Sequence, residues 1–140
     1  MQLTRATEYA IRGLVFLRDI KGGMGFVRQI AEELEMPESF LAKIFASLTK
    51  AGIVLSQRGQ HGGYRLAITP SDLNLKQIIE AAEGPMALAR CQLPIPTCDD
   101  QHCGLRKVFT EAQEKMEQIF ADVHLSDIEG YSGVHMPEIQ

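Results

Sequence analysis

Apolar residues recur at intervals of three and four along the first fifty residues, which predicts three helices. The stripes cover residues 4–20, 27–34 and 37–51, and glycine at position 52 is a typical helix stop. Pro37 disfavours helical geometry in the residue before it and suits the first turn of the next helix. The second and third helices are therefore expected to be joined by a tight turn.

A β-hairpin is predicted after the third helix. Residues 53–55 and 64–68 have the apolar character of strands, and the stretch between them contains three glycines. Helix, helix, tight turn, helix and hairpin in this order is the winged helix-turn-helix. The predicted fold class is α+β, mainly α, with residues 1–70 as a winged helix-turn-helix DNA-binding domain.

The second half begins with a short helix and a loop and continues with a long amphipathic helix. Residues 71–104 are predicted to be a linker helix followed by a proline-rich loop that contains all three cysteines. From residue 105 an apolar stripe runs for about five turns and needs a surface to cover it. We predict a dimerisation helix at 105–125 that packs on a second chain, with packing on its own domain as the alternative. Residues 126–140 are predicted to be a mobile tail.

The distribution of charge changes the first impression of the chain. Its 140 residues carry a formal net charge of -4, which argues against a nucleic-acid partner. Residues 1–70, however, hold nine Lys and Arg against six Asp and Glu, whereas residues 71–140 hold five against twelve. A basic half joined to an acidic half is expected of a protein that meets a polyanion with one surface. With no membrane-spanning run and no export signal, a cytoplasmic location without membrane association is expected.

Two groups of positions are candidate DNA contacts. The face of the third helix opposite its apolar stripe carries hydroxyl and ammonium groups, which can donate to base edges or phosphates in a major groove. The hairpin tip combines cationic side chains with glycines that allow close backbone approach to a minor groove or phosphate. A solvated helix face and an ordinary glycine turn are the alternatives. The residues are Ser39, Lys43, Ser47, Lys50, Arg58, Gly59, His61 and Gly62.

The cysteines form a second candidate site. Cys91, Cys98 and Cys103 have the spacing C-x6-C-x4-C, and the chain has no other cysteine. Thiolates converging from a loop suit an iron–sulfur cluster or zinc. The paired C-x2-C of zinc knuckles is absent, and three thiolates are one short of the usual four ligands. A thiol switch without metal is the alternative. The candidates for a fourth ligand are Glu8, Asp99, Asp100 and His102.

Several segments occur together in one known family. They are MQLT at 1–4, EYAIR at 8–12, RQIA at 28–31, LTKAGIV at 48–54, RGQHGGY at 58–64 and the three-cysteine loop. Over about residues 1–128 the chain resembles the IscR/NsrR-type family of bacterial transcription regulators. The resemblance implies a homodimeric repressor or activator that binds a double-stranded DNA operator. It also implies a [2Fe-2S] or [4Fe-4S] cluster on the three cysteines that controls promoter binding and senses redox state, nitric oxide or iron–sulfur status.

The resemblance assigns roles to individual residues. By position it gives DNA contacts to Ser39, Phe40, Lys43 and Arg58, and its matching segments add Arg28 and Tyr64 to the DNA-binding set. It gives cluster ligation to the three cysteines.

Two positions depart from the branch of this family that controls iron–sulfur biogenesis. That branch has a ligand histidine where this chain has Arg106, and a glutamate where it has Ala42. In the nitric-oxide-sensing and redox-sensing branches a carboxylate on the first helix completes the ligand set, and Glu8 stands there. We therefore expect Glu8, supplied by the partner subunit, as the fourth ligand. His102 is the second choice, and an ion pair of Glu8 on its own helix is the alternative.

Two other classes of function remain as alternatives. The first is a cluster-free regulator of the same fold in which the three cysteines form a thiol switch or a zinc site. The second is a small redox enzyme. Because the sequence has no C-x-x-C pair, nucleotide-binding glycine fingerprint or nucleophile–base arrangement, we predict that the protein is not an enzyme.

Overall fold

The computed structural model describes residues 2–98 and 100–129, and in these ranges the chain forms five α-helices and three β-strands. The mainly helical α+β class and the winged helix-turn-helix order are as predicted. Arg90–Gln92 and Leu125–Asp127 form additional 3-10 turns. The main elements are α1 Arg5–Asp19, β1 Met24–Gly25, α2 Val27–Glu33, α3 Glu38–Lys50, β2 Val54–Gln57, β3 Gly63–Leu66, α4 Leu75–Glu83 and α5 Arg106–Asp122.

The hairpin belongs to a sheet with strand order β1-β3-β2, in which both pairings are antiparallel. Strand β1 was not predicted, because two residues are too few to show alternation. Gly25 of β1 pairs with Tyr64 of β3. A Cβ on Gly63, whose φ is +126°, would lie 2.8 Å from the Gly25 carbonyl oxygen. Only glycine permits this close approach without strain.

The core between α1, α3 and the sheet is centred on Phe45. Its side chain is fully buried, and its ring packs edge to face against Tyr64 with centroids 4.9 Å apart. On the other side it lies against α1, where a Cβ on Gly13 would be 2.8 Å from the Phe45 ring. Because the core holds the inner face of α3 from two directions, the orientation of the outer face is fixed as well.

The N-terminus of α1 is capped by Thr4, which precedes it, and by Glu83 of α4, outside residues 1–70. The Thr4 hydroxyl accepts from the Ala6 N–H at 3.1 Å. The carboxylate of Glu83, the last residue of α4, accepts from the Thr4 N–H at 2.8 Å, the Thr4 hydroxyl at 2.5 Å and the Thr7 hydroxyl at 2.7 Å. Burial raises the pKa of Glu83, but the hydrogen bonds from Thr4 and Thr7 outweigh it, and the pKa lies below the ordinary value of 4.5.

This lowered pKa predicts a pH dependence of stability. The Glu83 carboxylate stabilises the fold above its unfolded pKa, and the contribution is lost as the pH falls through the lower folded pKa. The free energy of unfolding, measured by urea denaturation, should therefore fall less steeply between about pH 6 and pH 3 in Glu83→Gln than in the wild type. The difference should be less than about 1 kcal/mol because the residue is exposed. Glu80→Gln is the control, since within the described residues the Glu80 carboxylate pairs only with Lys76, at 3.8 Å. An equal flattening in both variants would contradict the assignment.

The chain after α5 returns to the body of the fold as residues 123–128, here called the C-terminal strap. Leu125 is fully buried, and its N–H donates to the Leu73 carbonyl at 2.8 Å. The predicted mobile tail begins at residue 126, but the Ser126 N–H is bonded to the Pro70 carbonyl at 3.1 Å. The start of that tail was therefore placed too early, and residues 130–140 lie outside the described residues. None of the helices in the described ranges is long and apolar enough to cross a membrane.

Candidate functional site

The outer face of α3 gathers the polar residues selected from the sequence. Ser39, Lys43, Ser47 and Lys50 are all exposed, whereas Leu41, Ile44, Phe45 and Leu48 of the same helix are buried. Within this face the Ser47 hydroxyl donates to the Lys43 carbonyl at 3.3 Å. The arrangement presents two ammonium groups and two hydroxyls along one side of a helix that the core holds rigidly.

Phe40 and Arg28 flank this face and are partly engaged within the chain. Phe40 is 37% exposed, and its ring packs edge to face on Tyr9 of α1 with centroids 5.5 Å apart. Arg28 on α2 is exposed, and its Nε lies 3.0 Å from a carboxylate oxygen of Glu32. The hydrogen bond to Glu32 raises the pKa of Arg28 above its ordinary value. Arg28 is thus always cationic, but its charge is partly offset by Glu32.

The tip of the wing divides into an exposed part and a structural part. Arg58, Gly59 and His61 are exposed, and Gly59 has a φ of +109° that suits glycine. Gly62 is buried, and a Cβ there would overlap the Gln57 carbonyl oxygen. Tyr64 is half-buried against Phe45. The first three residues can reach a ligand directly, whereas Gly62 and Tyr64 shape the wing and join it to α3.

The three cysteines line one cavity of about 160 Å3 beside the N-terminus of α5. All three are free thiols and half-buried. Within residues 2–98 and 100–129, no group of three or more His, Cys, Asp or Glu side chains is arranged so that it could hold a metal ion. The fold therefore brings the thiols to a common cavity without assembling a closed chelate. The other lining residues are Ala89, Arg90, Asp100, Arg106 and Phe109.

The candidates for a fourth ligand differ in their position relative to this cavity. Glu8 and His102 are not among its lining residues, whereas Asp100 is. Glu8 instead has a carboxylate oxygen 3.6 Å from Nη1 of Arg12, the ion pair considered as the alternative. His102 is exposed, and its backbone N–H donates to the Asp100 side chain at 2.9 Å. Asp99 lies outside the described residues.

Arg12 connects Glu8 to the helix-turn-helix. Its Nη2 donates to the Leu34 carbonyl, at the end of α2, at 3.1 Å. Its Nε is buried and has no hydrogen-bond partner among the described residues. A buried N–H without a partner costs free energy, so the contacts of Arg12 with Glu8 and Leu34 must hold its side chain in this position.

Two glutamines that the sequence analysis did not select attach the cysteine loop to α5. The buried Gln113 accepts from the Leu88 N–H at 2.9 Å and donates to the Met86 carbonyl at 2.9 Å. Gln92, next to Cys91, donates to the Phe109 carbonyl at 2.6 Å. The only sequence signal for Gln113 was its spacing of four from Phe109, which puts it at the edge of the apolar stripe.

Gln113→Leu should loosen the start of the cysteine loop. The change leaves the Leu88 N–H and the Met86 carbonyl unpaired and should lower the free energy of unfolding by about 1–3 kcal/mol. Urea denaturation and hydrogen exchange at the Leu88 amide measure the effect. Gln118→Leu on the same helix is the control, because Gln118 is exposed and its side chain bonds only Asp122 among the residues that the structure describes. Similar losses in the two variants would show that Gln113 has no special role.

The three-helix core, the wing and the exposed cationic face of α3 define a winged-helix DNA-binding protein. The chain belongs to the Rrf2 family, whose model is described as an iron-dependent transcriptional regulator and matches residues 3–129. The chain is 32% identical over 115 residues to the HTH-type transcriptional regulator NsrR of Bacillus subtilis, covering 80% of this chain and 79% of that protein. The predicted family is thereby confirmed, and the protein is a DNA-binding transcriptional regulator.

Solved structures agree with the fold. The structure of IscR from T. potens matches with a TM-score of 0.70 and 25% identity, covering 91% of this chain and 85% of that one. CymR, the global cysteine regulator of B. subtilis, matches with a TM-score of 0.75 and 22% identity, covering 95% and 99%. At that identity the second likeness supports the fold alone.

Proposed function

We propose that the protein is a homodimeric regulator whose affinity for a double-stranded DNA operator is controlled by an iron–sulfur cluster. The observation that carries the proposal is the common cavity of Cys91, Cys98 and Cys103 in a chain whose family is described as iron-dependent. Three half-buried thiols fit this group, because thiolates are the ligands of iron–sulfur clusters. When bound, the cluster supplies a centre that reacts with oxidants and with nitric oxide.

The position of Glu8 bears on the fourth ligand. Because Glu8 lies outside the cavity of its own chain, its proposed role requires that α1 of the partner subunit faces the loop. A carboxylate oxygen is a hard donor and a weak partner for iron beside three thiolates, so Glu8 would be the weakest of the four ligands. The Glu8 carboxylate lies 3.6 Å from Arg12, which holds the end of α2.

The exposed face of α5 supports the dimer. Leu105, the N-cap of α5, and Val108 and Ile119 within the helix are 57%, 58% and 63% exposed, and they belong to one apolar stripe. Such a row of large apolar side chains is typical of an interface between copies of one chain. In a dimer joined along α5, the separation of the two α3 helices must match the separation of the operator half-sites.

The cysteine loop is tied to this dimer helix at both ends. Gln92 and Gln113 fix the side of Cys91, and the Arg106 N–H donates to the Cys103 carbonyl at 3.1 Å directly before α5. Ligation of the thiols therefore restrains the start of α5. Loss of that ligation frees it and changes the separation of the α3 helices, which is the proposed link between cluster state and operator affinity.

The decisive experiment is metal and sulfide analysis of protein purified without oxygen. The expected result is a brown protein with thiolate-to-iron absorbance, iron and acid-labile sulfide, and an operator affinity that changes on exposure to nitric oxide or an oxidant. A colourless protein without iron or sulfide contradicts the proposal. Salt-dependent binding to operator DNA tests the DNA-binding part independently.

Single variants identify the fourth ligand. Glu8→Ala should alter the absorbance spectrum or the lifetime of the cluster, whereas His102→Ala should leave both unchanged. Asp100→Ala is the third arm, because Asp100 lines the cavity in its own chain. A change in only the His102 or only the Asp100 variant transfers the ligand role to that residue.

The cluster-free regulator remains the second candidate function. In this candidate Cys91, Cys98 and Cys103 form a thiol switch or a zinc site. The absence, within the described residues, of a side-chain group arranged to hold a metal ion favours the thiol switch of these two. The same metal analysis separates the two, since a thiol switch contains no metal and a zinc site contains neither iron nor sulfide.

A further inference from the structure

The C-terminal strap joins the end of the dimer helix to the segment that follows the wing. Leu125 of the strap is fully buried in the main core, which also contains Leu73 and Ile78. Residues 70–75 and the strap are also paired through their backbones. The hydrogen bonds are Leu75 N–H to Val123 at 2.7 Å, Leu125 N–H to Leu73 at 2.8 Å and Ser126 N–H to Pro70 at 3.1 Å.

Arg18, in the last turn of α1, holds the strap from the other side. Its Nη1 donates to the carbonyls of Leu125 at 2.6 Å and Ile128 at 2.8 Å. Its Nε and Nη2 donate to the two oxygens of the Asp19 carboxylate at 2.7 and 2.9 Å, which orients the guanidinium. Charged donors make the stronger class of hydrogen bond. Arg18 therefore connects α1 of the winged-helix domain to the strap that follows α5.

The length of α5 makes this connection consequential. Its 17 residues span about 25 Å, and a rotation of about 10° around the strap moves the far end, beside the cysteine cavity, by about 4 Å. That is close to the 3.4 Å between successive base pairs. A small change in the angle between α5 and the reading domain is therefore large enough to alter which half-site separation the dimer fits.

We propose that the strap is the fixed point between α5 and residues 1–70, and that Arg18 is a positioning residue that sets the half-site separation accepted by the dimer. The inference rests on the proposed dimeric regulator and adds a determinant of operator geometry. Arg18 acts through the strap carbonyls, and its removal should broaden the accepted separation without changing the sequence read by α3.

The test is selection from a library of randomised DNA duplexes, with the bound fraction sequenced. The wild type should select paired half-sites at one separation. Arg18→Gln should select the same half-site sequence over several separations, with about tenfold less preference for the original one. Arg5→Gln is the matched control, since it removes a cation from α1 that is exposed and has no side-chain bond or ion pair within the described residues. It should keep the separation of the wild type.

Each result decides between the proposals. If Arg18→Gln selects paired half-sites at the wild-type separation, Arg18 does not set that separation. This conclusion holds even if hydrogen exchange at the Leu125 amide is faster in the variant. If the wild type enriches no duplex, or only single half-sites, the proposed dimeric regulator fails and this inference fails with it. Arg18→Lys is the second variant, for the case in which Arg18→Gln does not fold. Lysine keeps the positive charge but cannot bond the strap carbonyls and both oxygens of Asp19 at once, as the guanidinium does. Unfolding of both variants overturns the proposal, since the strap would then be part of the folding core.

Discussion

Replacing Cys98 by serine is expected to lower the iron and sulfide content of anaerobically purified protein by more than tenfold. Cys98 shares its cavity with Cys91 and Cys103, and the chain has no other cysteine that could replace it. Serine offers a hard, protonated hydroxyl where iron prefers a soft thiolate. The variant should also lose the response of operator binding to nitric oxide or oxidants, because that response depends on the cluster.

Thr97→Ala is the control for this change. Thr97 is the exposed neighbour of Cys98, so its replacement disturbs the same stretch of loop without removing a thiol. It should retain the iron, the sulfide and the absorbance of the wild type. Full iron and sulfide content in Cys98→Ser would exclude Cys98 as a ligand and would reopen the ligand set. Circular dichroism of both variants reports whether the fold itself has survived.

Lys43→Glu is expected to weaken operator binding by about a hundredfold at moderate salt. Lys43 is exposed in the middle of the outer face of α3, while Leu41, Ile44 and Phe45 beside it are buried and cannot turn outward. Removing a phosphate contact lowers affinity and reduces the salt slope by about one, and the added carboxylate also repels the backbone. The dissociation constant, measured at several salt concentrations, checks both the loss and the slope.

Lys21→Glu is the matched control, because it makes the same change in net charge in the turn after α1. Lys21 is exposed and lies outside both the proposed DNA-binding surface and the dimer helix. It should bind the operator within about threefold of the wild type, since its charge is screened at distances beyond about 10 Å. Equal losses in the two variants would mean that binding depends on total charge, and the outer face of α3 would then have no specific role.

The elements of this protein follow largely from short windows of its sequence. The stripe Leu41, Ile44, Phe45 and Leu48 repeats with the period of a helix and identifies both the buried and the exposed face of α3. The glycines around the wing tip require a turn because of the backbone angles that they adopt. These are local properties, and they led directly to the winged helix-turn-helix and to its family.

The candidate site could be predicted only in part. Because three cysteines lie within one loop, the sequence favoured a common site for them, and in the structure all three line the same cavity. Residue type, however, gave Gly62 the same DNA-contacting role as Arg58, and the family resemblance gave that role to Tyr64. The structure separates them, because burial depends on what packs above a residue and not on its own chemistry.

By itself the sequence determined the order of the helices and of the two hairpin strands, the exposed polar face of α3 and the family, since each depends on periodicity, on glycine and proline geometry or on short motifs. Only the tertiary structure decided the pairing of β1, the cap of α1 by Glu83, the attachment of the cysteine loop by Gln113 and the closure of the strap by Arg18. The physical reason is sequence separation. Arg18 meets Leu125 across 107 residues, and no local pattern records a contact that exists only once the core between them has formed.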